Sequence, residues 1–261
     1  MKFPPVRLIG AALGAAVLLA ACGGGDPPPT SKIFVGPTWN GAETGHYELL
    51  DDGGQLYGQC TLETEPSGET LTIRRLCGDA AGEGFRDDGM AVVDAETLQP
   101  IESERVVVRP DDQIRNTWTG DYREDVALLA YEQINLETDE VEDSFETERE
   151  LPEPTEDSPD PGYYDDESLF WLLRGIPLEE GWEDAYHNVN LGTARIVVAE
   201  VLVEEQETIE VPAGEFETWR VRIRTESITQ RVWIEAAEPH RMIRANIEDL
   251  TYELESFEPE S

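Results

Sequence analysis

Positive charge is scarce in this chain. Its 261 residues hold 19 Lys plus Arg against 57 Asp plus Glu, a formal net charge of −38. That excludes a nucleic-acid binder working by phosphate neutralisation, because the bulk field repels a polyanion. It also excludes adhesion to an anionic lipid surface through a basic patch. Histidine is nearly lacking. His46, His187 and His240 lie far apart, and none stands at metal-ligand spacing from another. No GxSxG elbow, P-loop, GxGxxG or HExxH occurs. No catalytic residue, cofactor or metal is therefore assigned, and the expectation is a protein that is not an enzyme. A hydrolase would need a cleft holding two carboxylates of raised pKa. With 57 acids, pairing along the sequence carries no such information.

Long apolar runs are lacking too, with one exception. Residues 8–21 are Leu, Ile, Val, Ala and Gly only, preceded by Lys2 and Arg7. A helix of that length rises ~21 Å, short of a ~30 Å hydrocarbon core, so residues 1–21 read as an export signal. The run ends in Leu19-Ala20-Ala21-Cys22, which resembles the lipobox of bacterial lipoproteins. The resemblance implies cleavage before Cys22 and acylation of its thiol and new N-terminus. Several acyl chains at ~0.8 kcal/mol per buried CH₂ anchor stably in membrane lipid without a spanning helix. The expected place is the cell envelope: the periplasmic side of the outer membrane in a Gram-negative host, otherwise the outer face of the plasma membrane. Gly23 to Gly25 and Pro27 to Pro29 suit a tether over residues 22–38. Cleavage removes two bases and no acid, so the net charge of −38 becomes −40.

Cysteine is sparse. With Cys22 taken by lipid, Cys60 and Cys77 remain, 17 positions apart. In an exported chain an even pair favours a disulfide, with free or metal-binding thiols as the alternative.

Residues 39–261 read as one domain of short alternating runs separated by turn residues, the pattern of antiparallel β-structure. The expected strands are 46–50, 55–63, 70–76, 90–94, 103–109, 116–123, 126–135 and 141–148, then 194–204, 208–211, 215–225, 228–235, 240–247 and 250–256. Trp219, Val221 and Ile223 alternate with Arg220, Arg222 and Arg224. The first three suit a core face. The Arg row suits pairing with acids of neighbouring strands rather than an anionic ligand. Residues 137–167 hold 15 acids against one base. Within them, 151–162 read as an acidic, Pro-rich loop. The stretch lacks the alternating ligands and central Gly of an EF-hand loop.

One helix is expected. Asp165 or Asp166 can cap it, and Arg174-Gly175 suit its last turn and an αL stop. Its body, Leu169, Phe170, Trp171, Leu172 and Leu173, is apolar all round, so it needs burial on more than one side. Lying in the hollow of a curved sheet would provide that. The fold expected is all-β dominated: a strongly curved antiparallel sheet, or half-barrel, around one short apolar helix.

Several stretches together resemble a family of exported bacterial proteins of uncharacterised function. They are residues 93–100, 169–181 and 211–218, with Trp233, Pro239-His240-Arg241 and Tyr252-Glu253-Leu254. The resemblance implies a domain similar to the LolA/LolB-like lipoprotein-carrier half-barrel and brings no catalytic residues. The sequence leaves the choice open between two functions, of which the half-barrel resemblance supports the first. One is binding of a hydrophobic or lipid-like ligand in a hollow lined by Leu169 to Leu173, Trp219, Val221 and Ile223. The other is a structural or protein-interaction module of the envelope with a filled core and an unidentified protein partner.

Overall fold

The computed structural model of the protein describes residues 28–79 and 84–259. Residues 1–21, expected to be an export signal, and Cys22 lie outside them. The first meander is β1 (Glu43–Leu50), β2 (Leu56–Ser67), β3 (Thr70–Asp79), β4 (Arg86–Asp94), β5 (Pro100–Arg109), β6 (Ile114–Tyr122), β7 (Val126–Asn135) and β8 (Val141–Glu150). A short strand β9 (Tyr163–Asp165), a 3₁₀ turn (Asp166–Ser168) and helix α1 (Leu169–Arg174) follow. The second meander is β10 (Glu183–Asn190), β11 (Arg195–Val211), β12 (Gly214–Arg224), β13 (Thr229–Glu235), β14 (Met242–Ile247) and β15 (Leu250–Pro259).

All 15 strands form one sheet, ordered β8 back to β1, then β15 back to β9. The meanders meet at the antiparallel β1–β15 pair, and among the described residues only β9–β10 is parallel. Period-2 alternation aims one face of each strand inwards: Gly45, Tyr47 and Leu49 on β1, Leu71 and Ile73 on β3, Val221 and Ile223 on β12. Bulges interrupt the register at His46/Tyr47, Val92/Val93 and Val203/Gln206, where they bend and twist the strands. The sheet curls until its edges approach. Arg149 Nε of β8 donates to Ala194 O at 2.8 Å, and Tyr122, Ala127 and Leu129 pack on Val189, Leu191 and Ala194. No ladder joins β8 to β9 among the described residues, so the barrel stays open.

Helix α1 lies in the hollow. Phe170, Trp171, Leu172 and Leu173 are buried in the main core with residues of both meanders. Asp165 caps the preceding 3₁₀ turn, its Oδ1 accepting from Glu167 N at 2.8 Å. Cys60 and Cys77 face each other across β2 and β3 at 4.1 Å between Cα atoms and form the expected disulfide.

Four details differ from the sequence reading. Residues 194–211, read as two strands, are one long strand continued through a bulge. Strands β9 and β10 were not foreseen, because Asp, His and Asn in 183–190 are poor strand formers. Gly175 ends the helix at φ −108°, not αL. It is needed for closeness instead: a Cβ there would sit 2.1 Å from the Phe34 ring. Finally, part of the expected tether is packed. Ser31 N donates to Ala185 O and Val35 N to Gly175 O, both at 2.8 Å, and Ile33 and Phe34 are buried. The apolar pair Ile33 and Phe34 packs over the end of the helix beside Gly175, and Val35 points to solvent.

Candidate functional site

The hollow is filled at one end of α1 and open at the other. At the C-terminal end, Arg174 and Glu43 form a buried ion pair, with Arg174 Nη2 donating to Glu43 Oε2 at 3.1 Å and to Pro239 O at 3.3 Å. The guanidinium stacks on Trp39, 4.9 Å from its ring centre. Thr38 Oγ1 donates to Pro239 O at 2.8 Å. The gap left beside this end is about 10 Å³.

At the N-terminal end a cavity of about 330 Å³ remains. Part of its wall is apolar: Leu169 and Phe170 of the helix, Val197 of β11, Ile223 of β12, Ile247 of β14 and Leu250 of β15. Thr225 to Ile228, in the β12–β13 turn, also line it.

One side of the cavity is ionic, and strand register builds it. Arg75 on β3 pairs with Gly89 on β4, and Gly89 with Arg105 on β5. Period 2 turns both arginines inwards, with Asp87 of β4 on the same face. Arg105 Nε and Nη2 donate to Asp87 Oδ1 and Oδ2 at 2.9 and 2.7 Å. Arg75 Nη2 donates to Asp87 Oδ1 at 3.2 Å and to Glu167 Oε2 at 3.0 Å. Glu167 reaches this seat because Gly89 has no side chain: a Cβ there would lie 1.8 Å from Glu167 Oε2. Burial works against the Asp87 charge, but Arg75 and Arg105 outweigh it and hold its carboxyl below the usual carboxylate range.

Two more acids precede Glu167. Asp165 is buried behind the wall, accepting from Ser103 Oγ at 2.9 Å and from the Tyr122 hydroxyl. Burial pushes its carboxyl up to about 7; the Tyr122 bond opposes this and the Glu167 charge adds to it. Asp166 lines the cavity. Its oxygens accept from Asn190 Nδ2 at 3.0 Å and Leu191 N at 3.2 Å. Burial, then Asp165 and Glu167, raise it well above the usual range. Both carboxylates are raised, yet only Asp166 belongs to the cavity. The pair a hydrolase needs is split by the wall.

The sequence-predicted lining divides in the same way. Leu169, Phe170 and Ile223 line the cavity. Trp171, Leu172, Leu173 and Val221 are packed core, and Trp219 is half-buried against that core. The expected Arg row faces away from it: Arg220 pairs with Glu204 at 2.7 Å, Glu205 at 2.7 Å and Glu207 at 3.1 Å. Arg75, Asp87 and Arg105 were not singled out from sequence. The available signal was a charged residue at an inward parity on strands 70–76 and 103–109, beside Ile73 and Val107.

Residues 53–251 match the family described as "Protein of unknown function (DUF3108)". No curated protein matches the chain. Among solved structures, it is similar to a beta-barrel-like protein of the domain of unknown function DUF1849 from Brucella abortus. That match has 11% identity, covers 85% of this chain and 99% of that one, and has a TM-score of 0.49. A protein from Bacteroides fragilis, described as exported and of YmcC-like fold, is 12% identical over 87% of this chain and 99% of its own, with a TM-score of 0.28. A protein from Parabacteroides distasonis described as a lipoprotein is 10% identical over 87% and 99%, with a TM-score of 0.31.

Proposed function

The chain belongs to the DUF3108 family of proteins of unknown function, and from that premise we propose that it is a lipid-anchored binding protein of the cell envelope. Cys22 carries the anchor, and the hollow of the curved sheet takes a hydrophobic or lipid-like molecule. The observation behind the binding reading is the 330 Å³ cavity, with one apolar side and one polar side, that α1 leaves unfilled. That is near the lower limit of ligand pockets, ~300–1,000 Å³. A methylene group is about the size of a water molecule, ~30 Å³, so the cavity holds on the order of ten of them. One short chain fits; the several chains of a lipoprotein do not. The half-barrel therefore resembles a carrier whose hollow has been largely closed by its own helix and N-terminal segment.

Native mass spectrometry of the full chain with Cys22→Ser tests the binding reading. A co-purified small molecule, removed by organic extraction, is the expected result. A clean apo mass across several preparations, with no uptake of an apolar fluorescent probe, would sink it. The anchor is tested separately. Attachment of wild type to membranes should survive high salt and be lost in Cys22→Ser; release of wild type by salt would contradict it.

The second reading, a protein-interaction module, has one observation in its favour: Ile33, Phe34, Trp171, Leu172 and Leu173 fill most of the hollow. Crosslinking in intact membranes separates the readings, since a module of this kind must be caught with a protein partner.

A further inference from the structure

The chemistry of the ligand's polar end follows from which groups around the cavity are still free to bond; this rests on the cavity being a ligand site. Three buried polar side chains line it without a hydrogen-bond partner among the described residues: the Asn188 amide and the Tyr186 and Tyr252 hydroxyls. Their residues are 9%, 1% and 6% exposed. None of their polar atoms is sealed from solvent, so each is free to bond whatever enters the cavity. Tyr186 and Asn188 are two apart on β10 and project to the same side. Tyr252 comes from β15, its ring 5.6 Å edge-on from Phe170.

The buried and half-buried ionic groups beside them are occupied, and Arg195, Glu226 and Glu248, unpaired among the described residues, are exposed. Asp87 and Glu167 take Arg75, Asp87 takes Arg105, and Asn190 and Leu191 take Asp166. The lining holds three bases, Arg75, Arg105 and Arg195, against five acids, Asp87, Asp166, Glu167, Glu226 and Glu248. A carboxylate or phosphate head would enter a net-negative cavity in a chain of net charge −38. To reach a base inside the cavity it would have to displace an internal carboxylate from Arg75 or Arg105, and the exposed Arg195 is outnumbered by the exposed Glu226 and Glu248. A cationic head would find the half-buried Asp87 and the buried Glu167 already neutralised by arginine and would lose its hydration for little return, while a pair with the exposed Glu226 or Glu248 is worth little in water.

We propose that the cavity selects a single-chain amphiphile with an uncharged, hydrogen-bonding head, such as a monoacylglycerol or a fatty amide. The head rests on Asn188, Tyr186 and Tyr252, and the chain lies along Val197, Ile223 and Ile247. An amide offers both donors and an acceptor, and each phenol offers one donor and accepts as well. That set suits a diol or a carboxamide, which present both functions without charge.

The test uses the full chain with Cys22→Ser and three ten-carbon probes below their micellar concentrations: monodecanoylglycerol, decanoate and decyltrimethylammonium. Isothermal titration calorimetry should show monodecanoylglycerol binding at least about tenfold more tightly than either ion. Tyr252→Phe, which keeps the contact with Phe170, and Asn188→Leu should each weaken monodecanoylglycerol by roughly two- to tenfold, the loss of one neutral hydrogen bond. Neither should change the affinity of the ions. If decanoate or the cation binds as tightly as the neutral probe, or if both variants leave monodecanoylglycerol unchanged, the head-group assignment fails while the cavity reading stands. If none of the three binds, the cavity reading itself fails, and this inference with it.

Discussion

Helix α1 is tied to the sheet at both ends by arginine and carboxylate, and the two ends differ in everything else. At the C-terminal end, one pair, Arg174 and Glu43, is sealed by Trp39 and the Pro239 carbonyl, with about 10 Å³ of space beside it. At the N-terminal end, two arginines face Asp87, Glu167 and Asp166 beside about 330 Å³. One end has matched charge and no room. The other has surplus acid and room to spare. The closed end holds the helix in the hollow. The open end keeps polar groups wet that a closed core would have to neutralise, and so preserves a cavity.

The largest effect should come from breaking the closed end. Arg174→Ala leaves Glu43 buried without a partner, which should destabilise the fold by ~3–5 kcal/mol. Replacing both partners with apolar side chains of similar size should recover most of that. Urea unfolding of the two variants checks it; equal losses in both would mean the pair is not a sealed charge pair.

The next effect belongs to the open end and depends on pH. The Asp165 carboxyl is raised in the fold, mainly by burial, so the folded state binds its proton more tightly than the unfolded chain does. Its contribution is full at and below about pH 4. It is lost as pH rises towards about 7, the folded value, and is level above that. A tenfold difference in proton affinity between the two states is worth ~1.4 kcal/mol, so the change amounts to a few kcal/mol. Asp165→Asn removes the titration, and its stability relative to wild type should climb between pH 4 and pH 7. A flat difference would show that Asp165 is not held neutral.

Gly89 tests how the open end is built. Gly89→Ala puts a methyl where Glu167 Oε2 now lies. The carboxylate must then leave the space between Arg75 and Arg105, at a cost of ~1–3 kcal/mol. Denaturation midpoints measure the cost. An unchanged midpoint would mean that Glu167 is free to sit elsewhere.

These two ends were unequally legible in the sequence. The strands showed themselves because period 2 is written plainly in runs such as Val221 and Ile223, and the helix because five apolar residues follow a capping acid. Cys60 and Cys77 form the disulfide that the sequence reading expected of them. Gly175 was rightly read as the helix stop but for another reason, since closeness to Phe34 leaves no mark on the local sequence. Glu43, Arg75, Asp87 and Arg105 were missed because each is an ordinary surface residue by type. Only its parity within a strand makes it internal. Tyr186 and Asn188 were hidden further, because β10 itself carries too little strand propensity to reveal a parity.

The Arg row that did stand out in the sequence marks a third setting for the same chemistry. Arg220 is bonded to Glu204, Glu205 and Glu207 on the outer face, and its side chain is 26% exposed. It makes more ion pairs than Arg174 does, yet water reaches all of them. Screening and the entropy of holding long side chains should leave each pair worth ~0–1 kcal/mol. Arg220→Met keeps the aliphatic stem over the strand and should cost under ~1 kcal/mol, a loss that shrinks further at 1 M salt. Thermal unfolding at low and high salt measures both numbers. A cost matching that of Arg174→Ala would mean that the number of partners, and not their separation from water, sets what an arginine contributes here.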